Sequence, residues 1–295
     1  MTKAVVFLSA SYPHYRTVDF GIELQHSYDV HYVIDSDGVQ SLLRKRRSPA
    51  GNVSIINIPG NIATQAGYWG TVVYYMDRAC SKDKALYFLA NVAPKYDFVW
   101  LIEDDVLIPS NMTLQYLDDL YPETDLLVPP FAVRHFAHQA IGWHWPKIAP
   151  LIAFPFPWGQ GLTCAVRFSQ KFIQNLGEYA NKEKKLFHDE ALFTTLAMNT
   201  NLTIATPEAL KTIAFRPRGD FKHVDTKHLY HPVKDVNLRD DWHLIMQNAT
   251  PEAHPAQPVF GWTVVTPSWE SWIPVALLIA VICASVAFSM IRSSS

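Results

Sequence analysis

Short apolar runs alternate with longer stretches of helical period over the first 130 residues. Runs at 4–9, 28–34 (YDVHYVI), 53–58 (VSIINI), 97–102 and 125–128 (DLLV) have the length and the β-branched and aromatic content of strands. Turn residues such as Asp35-Ser36-Asp37-Gly38 and Pro59-Gly60 bound them. Apolar residues at helical spacing through Val72, Met76, Leu86 and Leu89 predict a helix over about 65–93. Strands alternating with helices predict an α/β fold, a mostly parallel sheet flanked by helices. In such sheets ligands bind beyond the carboxyl ends of the strands. Ser9–Ser11, Asp35–Asp37 and Glu103–Asp105 all fall there.

Beyond residue 130 the pattern changes. RHFAHQAIGWHWPK and FPFPWGQG, within about 131–165, are rich in Trp, Phe, Pro and His and predict ordered loops, a wall for a binding cleft. Helices follow at about 169–179, capped by Ser169, and at about 188–198, opened by two acids where the helix dipole favours negative charge. The Pro-rich stretch 249–271 reads as a linker. Residues 272–291, WIPVALLIAVICASVAFSMI, carry no charge and suffice to span a bilayer, with Trp262, Trp269 and Trp272 at the boundary. The expectation is a single C-terminal transmembrane helix that anchors the protein to a membrane. AVVFLSA, residues 4–10, is too short for the apolar core of a signal peptide and reads as a strand, so the domain is expected on the cytosolic side. N-x-[ST] triplets at Asn52, Asn111, Asn201 and Asn248 are the opposing sign of a lumenal face.

A net charge of −2 over 295 residues gives no basis for nucleic-acid binding, and the run Arg44–Arg47 reads as a solvated loop. Cys80, Cys164 and Cys283 are widely spaced, without metal-ligand spacing, and read as thiols in a reducing compartment. The unusual feature is VWLIEDDVLIPS, residues 99–110, which sets three acids inside an apolar run. Carboxylates that close do not all stay ionised without a cation. Oxygen ligands suit Mg²⁺ or Mn²⁺, which take their remaining ligands from water and substrate phosphates.

A strand ending in a D-x-D-like cluster about a hundred residues into an α/β domain resembles the GT-A-fold glycosyltransferases, with their Rossmann-related sheet. The resemblance covers about residues 3–245. It implies a metal on a nucleotide-diphosphate sugar, with Asp105 as direct ligand and Glu103 reaching the ribose or a metal-bound water, beside Asp104. WGQGLTCAVRFSQKFI (158–173) resembles the acceptor-side segment of that family, and FHDEALF (187–193) its acidic pair, about 85 residues past the cluster. In inverting members one such acid is the general base. The family pattern favours Glu190, with Asp189 orienting acceptor or base; the residue types stand in inverted order here. In LYHPVK (229–234) the resemblance implies His231 as a third metal ligand and Lys234 at a diphosphate oxygen. A core role for His231 is the other reading. Ser9, Ser11, Asp35 and Asp37 would hold base and ribose, with Arg16 and Arg78 as candidates for phosphate. The nucleotide-binding part would span about 1–130 and the acceptor part about 131–248, as one domain over 1–248.

The resemblance implies a nucleotide-diphosphate sugar as donor and a glycan or glycoconjugate hydroxyl as acceptor, and the net charge implies no nucleic-acid partner. Two rivals stand beside this reading. A metal-dependent nucleotidyltransferase would also use paired strand-edge carboxylates, although no G-x-x-x-x-G-K-[ST] loop occurs. A non-catalytic anchored protein that binds a nucleotide sugar or glycan would not need the acids at 189–190.

Overall fold

The computed structural model describes residues 2–9, 13, 15–35, 44–48, 51–75, 77–215, 224–233 and 263–264. In chain order its elements are β1 (Lys3–Ser9), α1 (Tyr15–Leu24), β2 (Asp29–Ile34), β3 (Arg44–Ser48), β4 (Gly51–Ile56), α2 (Gly60–Gln65), α3 (Ser81–Asn91) and β5 (Phe98–Glu103). There follow α4 (Thr113–Leu120), β6 (Leu126–Leu127), β7 (Phe131–Arg134), α5 (Trp145–Ile148), β8 (Trp158–Gly161), β9 (Ala165–Ser169), α6 (Gln170–Glu183), α7 (Asp189–Asn199), β10 (Ile204–Ala205) and β11 (Thr263–Val264). Nine strands form one sheet in the order β10-β6-β9-β5-β1-β2-β4-β3-β11. The central β5, β1, β2 and β4 are parallel, as expected; β9 and β3 run against their neighbours, so the sheet is mostly rather than wholly parallel.

Both faces of the central strands are covered. Along β1, Ala4, Val6 and Leu8 enter one core with Val99 and Leu101, while Val5 and Phe7 enter the other with Trp100 and Ile102. Strand side chains alternate faces, so a strand buried on both sides carries no polar stripe. The first polar residues at the carboxyl ends, Ser9, Asp35 and Glu103, mark where this cover stops.

Three expectations are corrected. The helix predicted over 65–93 is realised only as α3 (Ser81–Asn91); α2 (Gly60–Gln65) ends where the predicted helix begins, and an irregular stretch lies between them. Gly67 and Gly70 there adopt φ of +91° and +98°, which end a right-handed helix. A Cβ on Gly67 would also lie 2.3 Å from the Ala180 carbonyl oxygen, so this stretch is pressed against α6. The basic run Arg44–Arg47 is strand β3, paired antiparallel with β4, rather than a loop. The aromatic section is more regular than expected, because β7 and β8 pair as a second, two-stranded sheet. Gly159 allows β8 to lie on α7: a Cβ there would meet the Thr194 hydroxyl oxygen at 1.9 Å.

Among the described residues no helix is long and apolar enough to cross a membrane. The predicted span 272–291 lies outside the described residues, as does the linker 249–271 except for β11, which pairs with β3.

Candidate active site

Lys82, in the first turn of α3, joins the two acid clusters. Its Nζ donates to Glu103 Oε1 at 2.8 Å, to Thr163 Oγ1 at 3.2 Å and, in a very short contact, to Asp189 Oδ2. Burial opposes the ammonium, but Asp189 and Glu103 outweigh it and hold the Lys82 pKa well above the ordinary lysine value. Burial likewise opposes charge on Asp189, and Lys82 with His188 overcomes it, leaving this carboxyl well below the usual carboxylate range. Thr163 Oγ1 donates to the same Asp189 oxygen. The approach is built into the backbone. The Asp189 amide donates to the Thr71 carbonyl at 2.9 Å, and the Asp83 carboxylate accepts from the Thr71 and Cys80 amides at 3.1 and 2.9 Å. The irregular stretch between α2 and α3 therefore ties the start of α7 to the start of α3.

The second half of the acid cluster faces a histidine. His231 Nε2 lies 3.2 Å from Asp105 Oδ1 and 4.0 Å from Glu103 Oε2, while its Nδ1 bonds the Ala214 carbonyl at 2.8 Å. The Val233 amide donates to the Asp105 carbonyl at 2.8 Å, and Leu107 and Tyr230 pair as a β-bridge, fixing His231 over the end of β5. Burial disfavours the imidazolium; the Asp105 carboxylate overrides this and raises the His231 pKa. An imidazole oriented through Nδ1 by a backbone carbonyl presents Nε2 as a lone pair once neutral, the usual arrangement of a metal-ligating histidine. Glu103, Asp105 and His231 thus fit a divalent cation. Cys164 joins them: one donor atom each from Glu103, Cys164 and His231 lies within 4.8 Å of the others. Spacing along the chain pointed away from metal ligation by any cysteine, yet the fold sets Cys164 among metal-ligating groups. Cys164 is buried, and this pushes its thiol pKa up.

Glu190, the second residue of α7, stands apart from its neighbour. Burial, then the Asp189 charge beside it, push the Glu190 carboxyl up to about 7. Its Oε2 is 4.0 Å from His188 Nε2, and His188 Nδ1 lies 2.9 Å from Asp189 Oδ1 and 2.8 Å from the Thr71 carbonyl oxygen. Trp143 stacks on His188 with ring centroids 5.3 Å apart and planes at 22°, and His144 packs edge-on at 5.6 Å. Tyr74, 72% exposed, packs against His144 in turn. The aromatic section thus reaches the acidic pair.

At the carboxyl edge of the central strands, a cavity of about 450 Å³ is lined by Ser9, Asp35, Tyr75, Arg78, Lys82 and the three acids Glu103, Asp104 and Asp105. Ser9 Oγ donates to Asp104 Oδ2 at 3.3 Å, and Asp35 pairs with the buried Lys84 at 2.8 Å. Of the residues expected here, Ser9, Asp35, Glu103, Asp104 and Asp105 are brought together; Asp189 is linked to them through Lys82 and His231 through Asp105, while Glu190 follows Asp189 in α7 and faces His188. Ser11, Asp37 and Lys234 lie outside the described residues, and so does the Arg16 side chain.

Sequence reasoning missed Lys82, Thr163 and Cys164. The run Lys82-Asp83-Lys84 did carry a signal, three consecutive charges opening an apolar helix, and all three are buried.

No protein-family model matches the chain, and no curated protein matches it. Among solved structures, the fold is similar to mouse xyloside xylosyltransferase 1 in its apo form, at 12% identity over 70% of this chain and 86% of that chain, TM-score 0.37. It is similar to the galactosyltransferase LgtC in complex with donor and acceptor sugar analogs, at 12% identity over 90% and 99%, TM-score 0.38. It is also similar to 2-C-methyl-D-erythritol 4-phosphate cytidylyltransferase from Thermus thermophilus, at 11% identity over 84% and 99%, TM-score 0.38. Likenesses this distant carry no functional argument.

Proposed function

We propose that this protein is a metal-dependent, inverting glycosyltransferase. It would move a sugar from a nucleotide-diphosphate sugar to a hydroxyl of a glycan or glycoconjugate, and be held at a membrane by residues 272–291 with its domain on the cytosolic side. One observation carries the reading: Lys82 bonds both Glu103 and Asp189, so two acid clusters far apart in sequence form one site. The mostly parallel sheet, with the cluster at its carboxyl edge, fits the GT-A-like fold that the motifs imply.

Glu103, Asp105 and His231 would hold Mn²⁺ or Mg²⁺. Such an ion supplies Lewis-acid stabilisation of the charge that gathers on a departing diphosphate. Ser9, Asp35 and Asp104 line the cavity in which the nucleoside would lie. Asp189 is a poor base, since its carboxylate is saturated by Lys82, His188 and Thr163. Glu190 has the opposite character. A carboxyl with a pKa of about 7 is well matched to accepting a hydroxyl proton near neutrality, a role that contributes roughly 10²–10⁴-fold. In the proposed step the acceptor oxygen bonds the anomeric carbon as its proton passes to Glu190, and the carbon–oxygen bond to the diphosphate breaks. Trp143, stacked on His188, offers an aromatic face to the acceptor. A pure binding protein has no use for a carboxylate of this kind.

The reading is tested by incubating the protein with nucleotide sugars and measuring metal-dependent release of nucleoside diphosphate. Loss of release on chelation and in Asp105→Ala is the expected result.

A further inference from the structure

The donor set around the acid cluster includes one member that neither Mg²⁺ nor Mn²⁺ requires. Strand β9 pairs antiparallel with β5, with Ile102 opposite Ala165, and the pairing continues one residue further. The Glu103 amide donates to the Cys164 carbonyl at 2.8 Å. That register brings the Cys164 thiol beside the Glu103 carboxylate and the His231 imidazole, with one donor atom from each within 4.8 Å of the others. Glu103 gives Oε1 to Lys82 at 2.8 Å and turns Oε2 toward His231 at 4.0 Å, so its bond to Lys82 leaves the second oxygen on the histidine side.

Carboxylate, imidazole and thiolate together are a borderline-soft set. Oxygen-only sites suit Mg²⁺ and Mn²⁺, whereas thiolate sulfur favours Zn²⁺ and its analogues. We infer that Glu103, Cys164 and His231 form a three-donor site for a Zn²⁺-class cation, with Cys164 as the ligand that sets the metal preference of this centre. The inference rests on the reading that the acid cluster holds a divalent ion. As the sulfur–metal bond forms, the thiol proton leaves to the buffer, and no electron changes hands. A cation held through sulfur gains a bond that Mn²⁺ values little, so Zn²⁺ displaces Mn²⁺ here more readily than at an all-oxygen site.

The test uses the full-length chain, stripped of metal and free of nucleotide, titrated with Co²⁺. Wild type should bind Co²⁺ with an intense near-ultraviolet sulfur-to-cobalt band, and Cys164→Ser should lose that band. The chain has three cysteines, so the double variant Cys80→Ser/Cys283→Ser leaves Cys164 as the sole thiol and should keep the band. This second variant decides the matter even where Cys164→Ser fails to fold. In competition, the preference for Zn²⁺ over Mn²⁺ should fall in Cys164→Ser. Calorimetric Co²⁺ binding without the band, or a band that disappears in the double variant, overturns the inference and leaves the acid cluster as a metal site. Absence of any Co²⁺ binding overturns both.

Discussion

Lys82 and Asp189, 107 residues apart in the chain, meet in a buried ion pair that Glu103 shares through the same ammonium. Removing one partner of a buried pair leaves an uncompensated charge and costs about 3–5 kcal/mol, whereas removing both costs less. Lys82→Met should therefore destabilise the domain by about that much, and Lys82→Met/Asp189→Leu by less than the sum of the single changes. Urea unfolding of the four proteins checks this. The pH dependence has a definite sign. The Asp189 carboxyl is depressed in the folded state, so its contribution is complete above the ordinary carboxylate range and is lost as pH falls below it. Lys82→Met should flatten that acid limb.

Glu190 should carry the pH dependence of the proposed activity. A base works ionised, so kcat/KM should rise with pH through about 7 and level above it. Glu190→Gln should lower kcat by roughly 10²–10⁴-fold and abolish that limb. Stability should move the other way. A carboxyl whose folded pKa is raised costs stability as pH climbs from the unfolded value toward the folded one. Glu190→Gln should accordingly melt higher than wild type at pH 8, read by differential scanning calorimetry.

Asp105 and Glu190 should separate binding from transfer. Asp105→Ala should remove Mn²⁺-dependent binding of a nucleoside diphosphate in calorimetry, and Glu190→Ala should retain it. Equal loss in both variants contradicts the division. His231 bonds the Ala214 carbonyl through one ring nitrogen and faces Asp105 with the other. His231→Ala should both weaken Mn²⁺ binding and lower apo stability by about 1–3 kcal/mol.

Trp143 should matter for the acceptor alone. Truncation to Ala removes an aromatic face of the kind whose stacking is worth about 0.5–1.5 kcal/mol, so acceptor KM should rise several-fold while donor binding stays unchanged. Initial-rate kinetics with each substrate varied in turn separates the two.

The proposed anchor should be dispensable for chemistry. Every proposed site residue precedes residue 235, so a chain lacking 268–295 should leave the membrane fraction and keep donor binding. Aggregation, or loss of donor binding in a folded product, would place that segment in the core.

The parts of this fold that depend on local pattern were legible. The central strands follow from apolar runs ending in turn residues, and Ser169 caps α6 by accepting the Phe172 amide, as its place before an apolar helical run suggested. The acid cluster Glu103–Asp105 of the candidate site was visible too, because charge inside an apolar run is anomalous wherever it occurs. What was not legible depends on residues meeting from afar. Lys82 reads as a helix-surface lysine until α7 brings Asp189 to it, and Cys164 reads as an isolated thiol until β9 pairs with β5. The irregular stretch before α3 was hidden because Val72 and Met76 keep a helical spacing with Leu86 and Leu89. Strand β3 was hidden because its backbone pairing with β4 and β11 needs no apolar side chains.

Product analysis tests the central claim most directly. With a panel of nucleotide sugars and Mn²⁺, the account predicts slow release of the nucleoside diphosphate, abolished by chelator and by Asp105→Ala. Release of pyrophosphate or a sugar phosphate, which marks chemistry at phosphorus, or metal-independent release that survives Asp105→Ala, would contradict it.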